Sequence, residues 1–301
     1  MKIINKVLSR LARKTRWYNI FLFQDCAKFW NIREYNIDVV NLGSNSAKYG
    51  FDYSESGVVG YNWAMGPQSL MMDLNILQCY YSYLRPGATV IIPLCPFSCL
   101  VGYDYSYFSD KYYTILNHAQ IPFFNIHKRV LMNDIRRNPG NYVPFTEVLR
   151  LILNKVIFWK KKKNIEKCDF EKDSRVFISS WKNQFFLKDF EDELSCNNMN
   201  SYRESQEILN KIVDFCRRYD FRPIVVMPPV SPELRKYFSP KSIKKFIIDY
   251  VKESIGEETL FLNYLDNEKF RDDEFFMNSY FLNDKGAKVF TNTVLKDISI
   301  I

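Results

Sequence analysis

The sequence predicts an α/β protein, a three-layer α/β/α sandwich with a mostly parallel, flavodoxin-like sheet and an insertion. Its predicted strands are continuous apolar runs without polar alternation, which is typical of parallel strands buried on both faces. Patterns of helical period separate these runs, as crossover connections between parallel strands require. The chain has 301 residues, 47% hydrophobic and 25% charged, which fits one large globular domain or one domain with an insertion.

The first half of the chain contains a strand, a helix and a strand in succession. Residues 37–43 ("IDVVNLG") form the first predicted strand, and residues 58–62 a weaker second. Residues 88–94 ("ATVIIPL") form a further apolar strand. Between them, "PQSLMMDLNILQCYYSYLRPG" has apolar residues at helical spacing and a Pro-Gly pair expected to end the helix, namely Leu70, Leu74, Leu77, Tyr81, Pro86 and Gly87. This unit indicates a parallel sheet with helices on its faces.

The same pattern returns late in the chain. A helix through "SQEILNKIVDFCRRYD" leads into an apolar strand at 222–230, a helix near 241–254, a strand in "LFLNYLD" and a closing helix in "KGAKVFTNTVLKDI". The part between, 101–200, is rich in Tyr and Phe and lacks this rhythm. We predict a basic extension at residues 1–36 and one domain at 37–301, in which 101–200 form an insertion or a lid over the carboxyl ends of the strands, where open α/β sheets bind ligands.

Charge and cysteine usage limit the class of protein. The chain has 42 Lys and Arg against 34 Asp and Glu, a formal charge of +8, which favours anionic partners in general. Seven cysteines without a CxxC pair indicate buried thiols rather than a disulfide framework or a zinc ribbon. The N-terminal segment lacks the apolar core of a secretory signal, and no apolar run is long enough to span a bilayer. We expect a cytoplasmic protein, with attachment to a membrane surface as an open alternative.

Five segments taken in chain order resemble the SGNH (GDSL-like) hydrolase superfamily: "VVNLGSNSAKYGFD", "GYNWAMGPQSL", "LRPGATVIIPLCPFS", "RPIVVMPPVSPELRKYF" and "LDNEKFRDDEFFMNSYFLNDKGAKVFT". The likeness is greatest to the branch found with bacterial surface-glycan acyl transfer, which includes the D-alanyl transfer protein of teichoic-acid assembly. The resemblance covers residues 37–100 and 205–298. It implies the same α/β/α fold and a site at the carboxyl ends of the strands.

The resemblance also implies a Ser-His-Asp triad, and the sequence departs from it three times. Such enzymes carry the nucleophilic serine after the first strand and a D-x-x-H motif before the last helix. Here the serine position is Asn45, the aspartate position is Asn278 and the histidine position is Phe281. Loss of nucleophile or base costs about six decades of rate in a worked protease example, which is roughly 8 kcal/mol of barrier. We therefore expect a catalytically degenerate protein with a binding or accessory role, which the resemblance links to surface-polysaccharide biosynthesis or modification.

An active glycan O-acyltransferase or esterase with a displaced triad is the alternative. Ser44 or Ser46 would then be the nucleophile, and His118 or His127, the two histidines of the chain, would supply the base from the insertion. Against this, Ser46 is expected to be a helix N-cap or turn residue and Ser44 a turn hydroxyl. Both histidines are better explained as ordinary surface or packed residues.

The substrate-binding candidates are Asn62, Gly66 and Ser98. Gly66 stands where such enzymes have the oxyanion glycine, Asn62 precedes it as in many relatives, and Ser98 ends the "PLCPFS" segment that replaces the third G-x-N block. A turn before a helix explains Gly66 equally well. Two acids bracket the last motif: Asp284, expected to cap the final helix, and Asp266, expected at the end of a strand.

The segment "VLRLILNKVIFWKKKKNIEK" has two interpretations. Its helical apolar face is followed by four lysines, so the segment resembles a basic amphipathic helix on anionic lipid; the residues are Leu149, Ile152, Leu153, Val156, Trp159, Lys160, Lys161, Lys162 and Lys163. Alternatively, the helix packs its apolar face on the protein body and leaves the lysines in solvent. A glycan or acyl-glycan ligand is the other expected partner. We expect no cofactor, no metal and no nucleic acid, because no Walker A, GxGxxG, His/Cys cluster or RNP-like pattern is present.

Overall fold

The computed structural model describes residues 2–158 and 168–301 and divides the chain into two compact units. One consists of Met1–Arg33 and Phe108–Lys167 and is called the helical unit, because its described residues form helices and turns. The other consists of Glu34–Tyr107 and Cys168–Ile301 and is called the sheet unit. The four predicted lysines at positions 160–163, and Trp159 before them, lie outside the described residues.

The described elements follow one another in this order: α1 (Lys2–Ala12), α2 (Ala27–Trp30), β1 (Ile37–Asn41), α3 (Asn45–Gly50), β2 (Gly60–Asn62), α4 (Leu70–Tyr80), β3 (Leu84–Pro93), α5 (Ile126–Arg137), α6 (Phe145–Phe158), α7 (Phe170–Gln184), α8 (Cys196–Arg218), β4 (Arg222–Met227), α9 (Pro232–Arg235), α10 (Pro240–Ile243), α11 (Tyr250–Ile255), β5 (Leu260–Asn263) and α12 (Asp284–Asp297). Turns of π-helix occupy Trp17–Leu22 and Lys244–Asp249, and the second joins α10 to α11. Short 3₁₀ turns connect several of the other elements.

The sheet has five strands in the order β2-β1-β3-β4-β5, and every pair is parallel. This is the flavodoxin-like strand order, whose switch point lies between β1 and β3. Helices α3 and α12 contact each other, and α8 contacts both α4 and α11, so the helices form two groups around the sheet. The predicted three-layer α/β/α architecture is therefore confirmed.

The strands form where the apolar runs predict them, because β1, β3 and β4 are buried along most of their length. One boundary was wrong. Pro86-Gly87 does not end the preceding helix, which stops at Tyr80, but lies within the exposed beginning of β3. Gly87 has φ +71°, and the register between β1 and β3 shifts at this point. The Pro-Gly pair therefore lies at an irregularity within β3 and does not end α4.

The helical spacing of α4 also needs correction. Its buried face contains Ile76 and Leu77 but also Asp73, whereas Leu74 is only half-buried. The buried face of α4 therefore includes a carboxyl group among its apolar residues. Asp73 lies in the lining of the cavity that is described below.

None of the helices among residues 2–158 and 168–301 combines the length and apolar character that crossing a bilayer demands. All seven cysteines are free, and the prediction that they are buried holds for Cys26, Cys99 and Cys216. It is wrong for Cys196, which is exposed.

Phe290 of α12 lies at the centre of one core of the sheet unit. It has no exposed surface, and its ring packs against those of Phe51, Tyr264 and Phe270 at centroid distances of 5.1, 5.2 and 5.6 Å. These contacts join α12 to the segments after α3 and β5. The core thereby holds the last helix against the sheet.

We predict that Phe290→Ala lowers the free energy of unfolding by about 3–5 kcal/mol, because it removes a fully buried ring and leaves a cavity. Denaturant unfolding followed by circular dichroism measures this change. The matched control is Phe186→Ala, at a ring that is 90% exposed, which should stay within about 0.5 kcal/mol of the parent. Equal losses in the two variants would contradict this assignment of the core.

Candidate functional site: a cavity at the carboxyl ends of β1 and β3

A cavity of about 240 Å³ opens in the sheet unit beside the ends of β1 and β3. This is the switch point of the strand order, where open α/β sheets place their ligands. The lining comes from the segments after β1 and β3, from the start of α4, from α7 and from the loop before α12. Its residues are Ser44, Asn45, Ser46, Pro67, Gln68, Ser69, Leu70, Asp73, Pro93, Cys95, Phe97, Ser98, Val101, Tyr107, Phe177, Trp181, Gln184, Phe185, Tyr280 and Phe281.

The turn after β1 depends on Gly43. Its φ of +112° is a left-handed conformation that L side chains rarely adopt, and a Cβ there would lie 2.6 Å from the Cβ of Ala47. The backbone N–H of Gly43 donates a hydrogen bond of 2.7 Å to Oδ1 of Asp73. The first turn of the site is thereby tied to α4.

Asp73 is a buried carboxyl group at the base of the cavity. Only 2% of the residue is exposed, and burial raises its pKa to about 7, while the hydrogen bonds from Gly43 and Gln68 oppose this shift. The side chain of Gln68 donates to Oδ1 of Asp73 and, at 3.3 Å, to the carbonyl of Gly43. One carboxyl oxygen therefore holds together the end of the first strand, the segment before α4 and α4 itself.

Ser46, Cys95 and Tyr280 form a cluster at the cavity wall. The Ser46 Oγ and Cys95 Sγ atoms are 3.3 Å apart, and the Tyr280 hydroxyl interacts with both residues. Burial raises the pKa of the Cys95 thiol, and the neighbouring Ser46 and Tyr280 hydroxyls oppose the shift. A thiol with a raised pKa is protonated near neutral pH, so Cys95 lacks the thiolate that nucleophilic chemistry needs.

Two hydroxyl groups of the lining are buried without a hydrogen bond of good geometry to the described residues. They are Oγ of Ser69, a residue 3% exposed, and the hydroxyl of Tyr280, a residue 8% exposed. A buried polar group without a partner costs about 1–3 kcal/mol. Both residues are among those that line the cavity, and the two hydroxyl oxygens themselves have almost no exposed surface.

Aromatic rings from α7 form the opposite wall. Phe177 and Trp181 lie one turn apart on α7, and both pack on Tyr280, at centroid distances of 5.2 and 5.1 Å. The side chain of Gln184 donates a hydrogen bond of 2.6 Å to the Tyr107 hydroxyl, which fixes a polar pair at the rim. The wall is thus apolar with a few placed polar atoms, as is typical of small-molecule sites.

Two of the three positions that the resemblance assigns to a triad lie in the lining of this cavity. Asn45 and Phe281 both line it, and Phe281 packs its ring on Tyr49 of α3 at 5.3 Å. Asn278 accepts hydrogen bonds from the backbone N–H groups of Tyr280 and Phe281, at 3.0 and 2.7 Å. Its side chain therefore forms a turn that presents Tyr280 and Phe281 to the cavity.

The fallback nucleophiles have different environments. Ser44 is the N-cap of α3, and its hydroxyl accepts a hydrogen bond of 3.1 Å from the backbone N–H of Gln68, a distant residue in the sequence rather than one of its own turn. Ser46 is not the N-cap, because α3 begins at Asn45 and Ser46 is its second residue.

The two candidate bases belong to the helical unit. His118 is exposed and lies near the ring of Phe124, at a centroid distance of 6.0 Å. His127 is exposed in the first turn of α5, where its backbone N–H donates to the capping residue Asn125. Since these are the two histidines of the chain, the sheet unit itself contains no imidazole.

The three substrate-binding candidates have structural partners. The side-chain amide of Asn62 donates to the carbonyls of Ala47, Lys48 and Phe51, at the end of α3. Ser98 lines the cavity, and its hydroxyl accepts a hydrogen bond of 2.8 Å from the backbone N–H of Cys95.

Gly66 lies directly against the side chain of Asn45. A Cβ at Gly66 would overlap the Asn45 amide, so glycine is needed for Asn45 to lie there. The Asn45 amide therefore packs directly on the backbone of Gly66.

The predictions for Asp284 and Asp266, the two acids on either side of the last motif, are only partly correct. The N-cap of α12 is Asn283, whose side chain accepts from the backbone N–H of Gly286, so the prediction that Asp284 caps this helix was wrong by one residue. Asp266 follows β5 and accepts a hydrogen bond of 3.1 Å from Arg235. Neither acid is among the residues that line the cavity.

Sequence reasoning missed Asp73, Cys95, Tyr280, Ser69 and the α7 aromatics. One signal was present for Asp73, because it is a lone acid in the apolar stretch "LMMDLNIL". A second was present for α7, where Phe177 and Trp181 recur at helical spacing. Nothing local distinguishes Tyr280 or Ser69 from other tyrosines and serines of the chain.

A scan of the sequence against protein-family models finds no match. A search of curated proteins likewise finds none. The candidate site is therefore characterised by its own geometry.

We predict that Asp73→Asn makes the protein less sensitive to pH. The raised pKa means that the folded state retains a proton that the unfolded chain releases, so this favourable contribution is complete below about pH 4 and is lost as the pH rises through about 7. The amide keeps an acceptor for Gly43 but does not titrate. Relative to the parent, the variant should therefore gain on the order of 4 kcal/mol of unfolding free energy between about pH 4 and pH 8.

Denaturant unfolding across this pH range measures the difference. The control is Asp214→Asn, which replaces an exposed carboxylate of α8 by an amide. Parallel stability curves for the parent and Asp73→Asn would show that Asp73 does not titrate as its burial requires.

Proposed function

We propose that this chain is a catalytically degenerate SGNH-hydrolase-like protein that binds a small, uncharged, hydroxyl-bearing ligand in the sheet-unit cavity. A unit of a glycan or an acyl-glycan fits this description, and the role would be that of a binding or accessory component in surface-polysaccharide biosynthesis or modification. The observation that carries the proposal is an aromatic-walled cavity at the carboxyl ends of β1 and β3, whose lining includes the hydroxyl-bearing residues Ser69 and Tyr280 and no lysine, arginine or histidine.

The composition of the lining supports a neutral ligand. Among the described residues that line the cavity, none is lysine, arginine or histidine, so no cation is present to balance an anionic ligand. Asp73 is the one carboxyl group in this lining, and its hydrogen bonds hold the protein together. Hydroxyl partners and aromatic faces suit a sugar ring, which has polar edges and apolar faces.

The chemistry of the cluster supports binding rather than turnover. Attack by Ser46 would require a base within hydrogen-bond reach, and its described neighbours are a protonated thiol and a phenol. Burial raises the pKa of Tyr280 well above its usual value, so this phenol stays protonated. A protonated phenol can donate a hydrogen bond to a ligand but cannot accept the serine proton.

An active glycan O-acyltransferase or esterase is the alternative class. It requires His118 or His127 as base, and both are exposed residues of the helical unit. No geometry within the sheet unit favours this alternative.

We predict that Tyr280→Phe and Ser69→Ala each weaken ligand binding by about two- to tenfold, because each removes one hydrogen-bonding hydroxyl and preserves the shape of the cavity. The probes are methyl glucoside and its O-acetyl ester. Titration followed by Trp181 fluorescence and by saturation-transfer NMR measures binding.

Matched controls exist because Tyr53 and Ser174 also have buried, unpartnered hydroxyls but do not line the cavity. Tyr53→Phe and Ser174→Ala should stabilise the free protein as Tyr280→Phe and Ser69→Ala do, yet leave binding unchanged. If all four variants bind the probes equally, the hydroxyls serve no ligand and the proposal fails.

We predict that a serine-directed fluorophosphonate does not label the protein and that O-acetyl methyl glucoside is not hydrolysed, since the cavity lining contains no base for a serine. Gel fluorescence and acetate release are the measurements. Labelling of the parent that Ser46→Ala abolishes would replace the degenerate assignment by the active alternative.

A further inference from the structure

The two units carry opposite charge. The helical unit has 20 Lys and Arg against 5 Asp and Glu, a formal charge of +15, whereas the sheet unit has 22 against 29, a charge of −7. Residues 2–33 and 108–158, the described part of the helical unit, still hold 15 against 4. The modest net charge of the chain therefore conceals a strongly basic unit, whose natural partner is a polyanion.

Part of this charge surrounds a second cavity, of about 380 Å³, between α1 and the end of α5. Its lining consists of Asn5, Lys6, Ser9, Arg10, Arg13, Arg137, Asn138 and Asn141. The ion pairs described in this unit join Lys128 to Asp110 and Arg150 to Glu147, and none of them involves a cation of this cavity.

Hydrogen bonds between its lining residues hold this second cavity together. The Arg13 guanidinium donates a hydrogen bond of 2.8 Å to the carbonyl of Arg137, and Asn5 donates one of 2.9 Å to Asn141, so α1 is held against the segment after α5. Asn138, which lines the cavity, donates a hydrogen bond of 2.8 Å to the carboxylate of Asp134. Lys6, Arg10 and Arg137 are exposed around this frame, and guanidinium and ammonium groups in such an arrangement match the oxygens of a phosphate.

Exposed apolar side chains accompany the basic residues. On α1, Ile4 and Val7 are 65% and 49% exposed, and Val7 lies between Lys6 and Arg10 along the helix. Helix α6 contacts α1 and has four exposed apolar residues at spacings of four, seven and eight, namely Phe145, Leu149, Ile152 and Leu153. Among the described residues of this face, Leu149, Ile152 and Leu153 are therefore partly open to solvent.

We propose that the helical unit docks on the surface of a bilayer that contains anionic phospholipids, with the exposed faces of α1 and α6 in the interface and headgroup phosphates at the basic cavity. Apolar residues flanked by cations are the pattern of helices that lie in the membrane interface. A soluble polyanion such as RNA would be matched by the charge but not by the apolar faces. This inference concerns other residues than the ligand cavity and does not depend on the proposed function.

The test is flotation of the full chain with vesicles of phosphatidylcholine alone and of phosphatidylcholine mixed with phosphatidylglycerol. Binding should require the anionic lipid and weaken as salt rises from about 0.1 M to about 1 M, where the screening length falls to about 3 Å. Lys6→Gln with Arg10→Gln should weaken binding roughly thirtyfold, from about 1 kcal/mol per cation. Leu149→Ser with Ile152→Ser should weaken it about tenfold or more.

Matched controls come from exposed positions of the sheet unit. Lys188→Gln with Lys296→Gln removes the same charge, and Val176→Ser with Ile248→Ser removes similar exposed apolar surface. Both should float like the parent, and circular dichroism should show the same fold for all variants.

Several results would overturn the proposal. These are equal flotation with neutral and anionic vesicles, equal losses in the test and control pairs, or calorimetric binding of inorganic phosphate or an RNA oligonucleotide without binding to vesicles. A dimer in sedimentation that Leu149→Ser with Ile152→Ser dissociates would assign the apolar face to a second copy of the chain instead.

Discussion

The arrangement of the ligand cavity depends on one buried carboxyl group. Asp73 accepts hydrogen bonds from the Gly43 backbone and the Gln68 side chain through the same oxygen, and so joins the end of β1 to α4 across the switch point of the sheet. A charge there would be costly without these donors, and burial shifts its titration instead. This contact links the left-handed turn at Gly43 to α4 and to the segment before it. It thereby fixes the base of the cavity.

Around Asp73 the cavity lining combines hydroxyl groups with aromatic rings and contains no lysine, arginine or histidine. The Asn45 amide packs on Gly66, and Phe281 lines the same cavity. The lining also contains Ser69 and Tyr280, whose buried hydroxyls make no hydrogen bond of good geometry to the described residues.

The chain also separates its charge between its two units. In the sheet unit acids outnumber bases, whereas the helical unit concentrates cations beside exposed apolar helix faces. Exposed apolar surface is unfavourable in water unless a partner covers it, and cations restrict that partner to an anionic one. The two proposals, ligand binding by the sheet unit and membrane attachment by the helical unit, would together account for both features.

The residues alone were enough for the architecture. Parallel strands buried on both faces must be continuous apolar runs, and an amide at position 45 is visible without coordinates. Strand boundaries were less exact, because Pro86-Gly87 is accommodated by a shift in register rather than by a helix end. Which residues form the site depends on the tertiary structure. Asp73 meets Gly43 thirty residues away, and Tyr280 meets Ser46, because strand order and crossover connections bring distant segments to one edge of the sheet, and no local pattern encodes those distances.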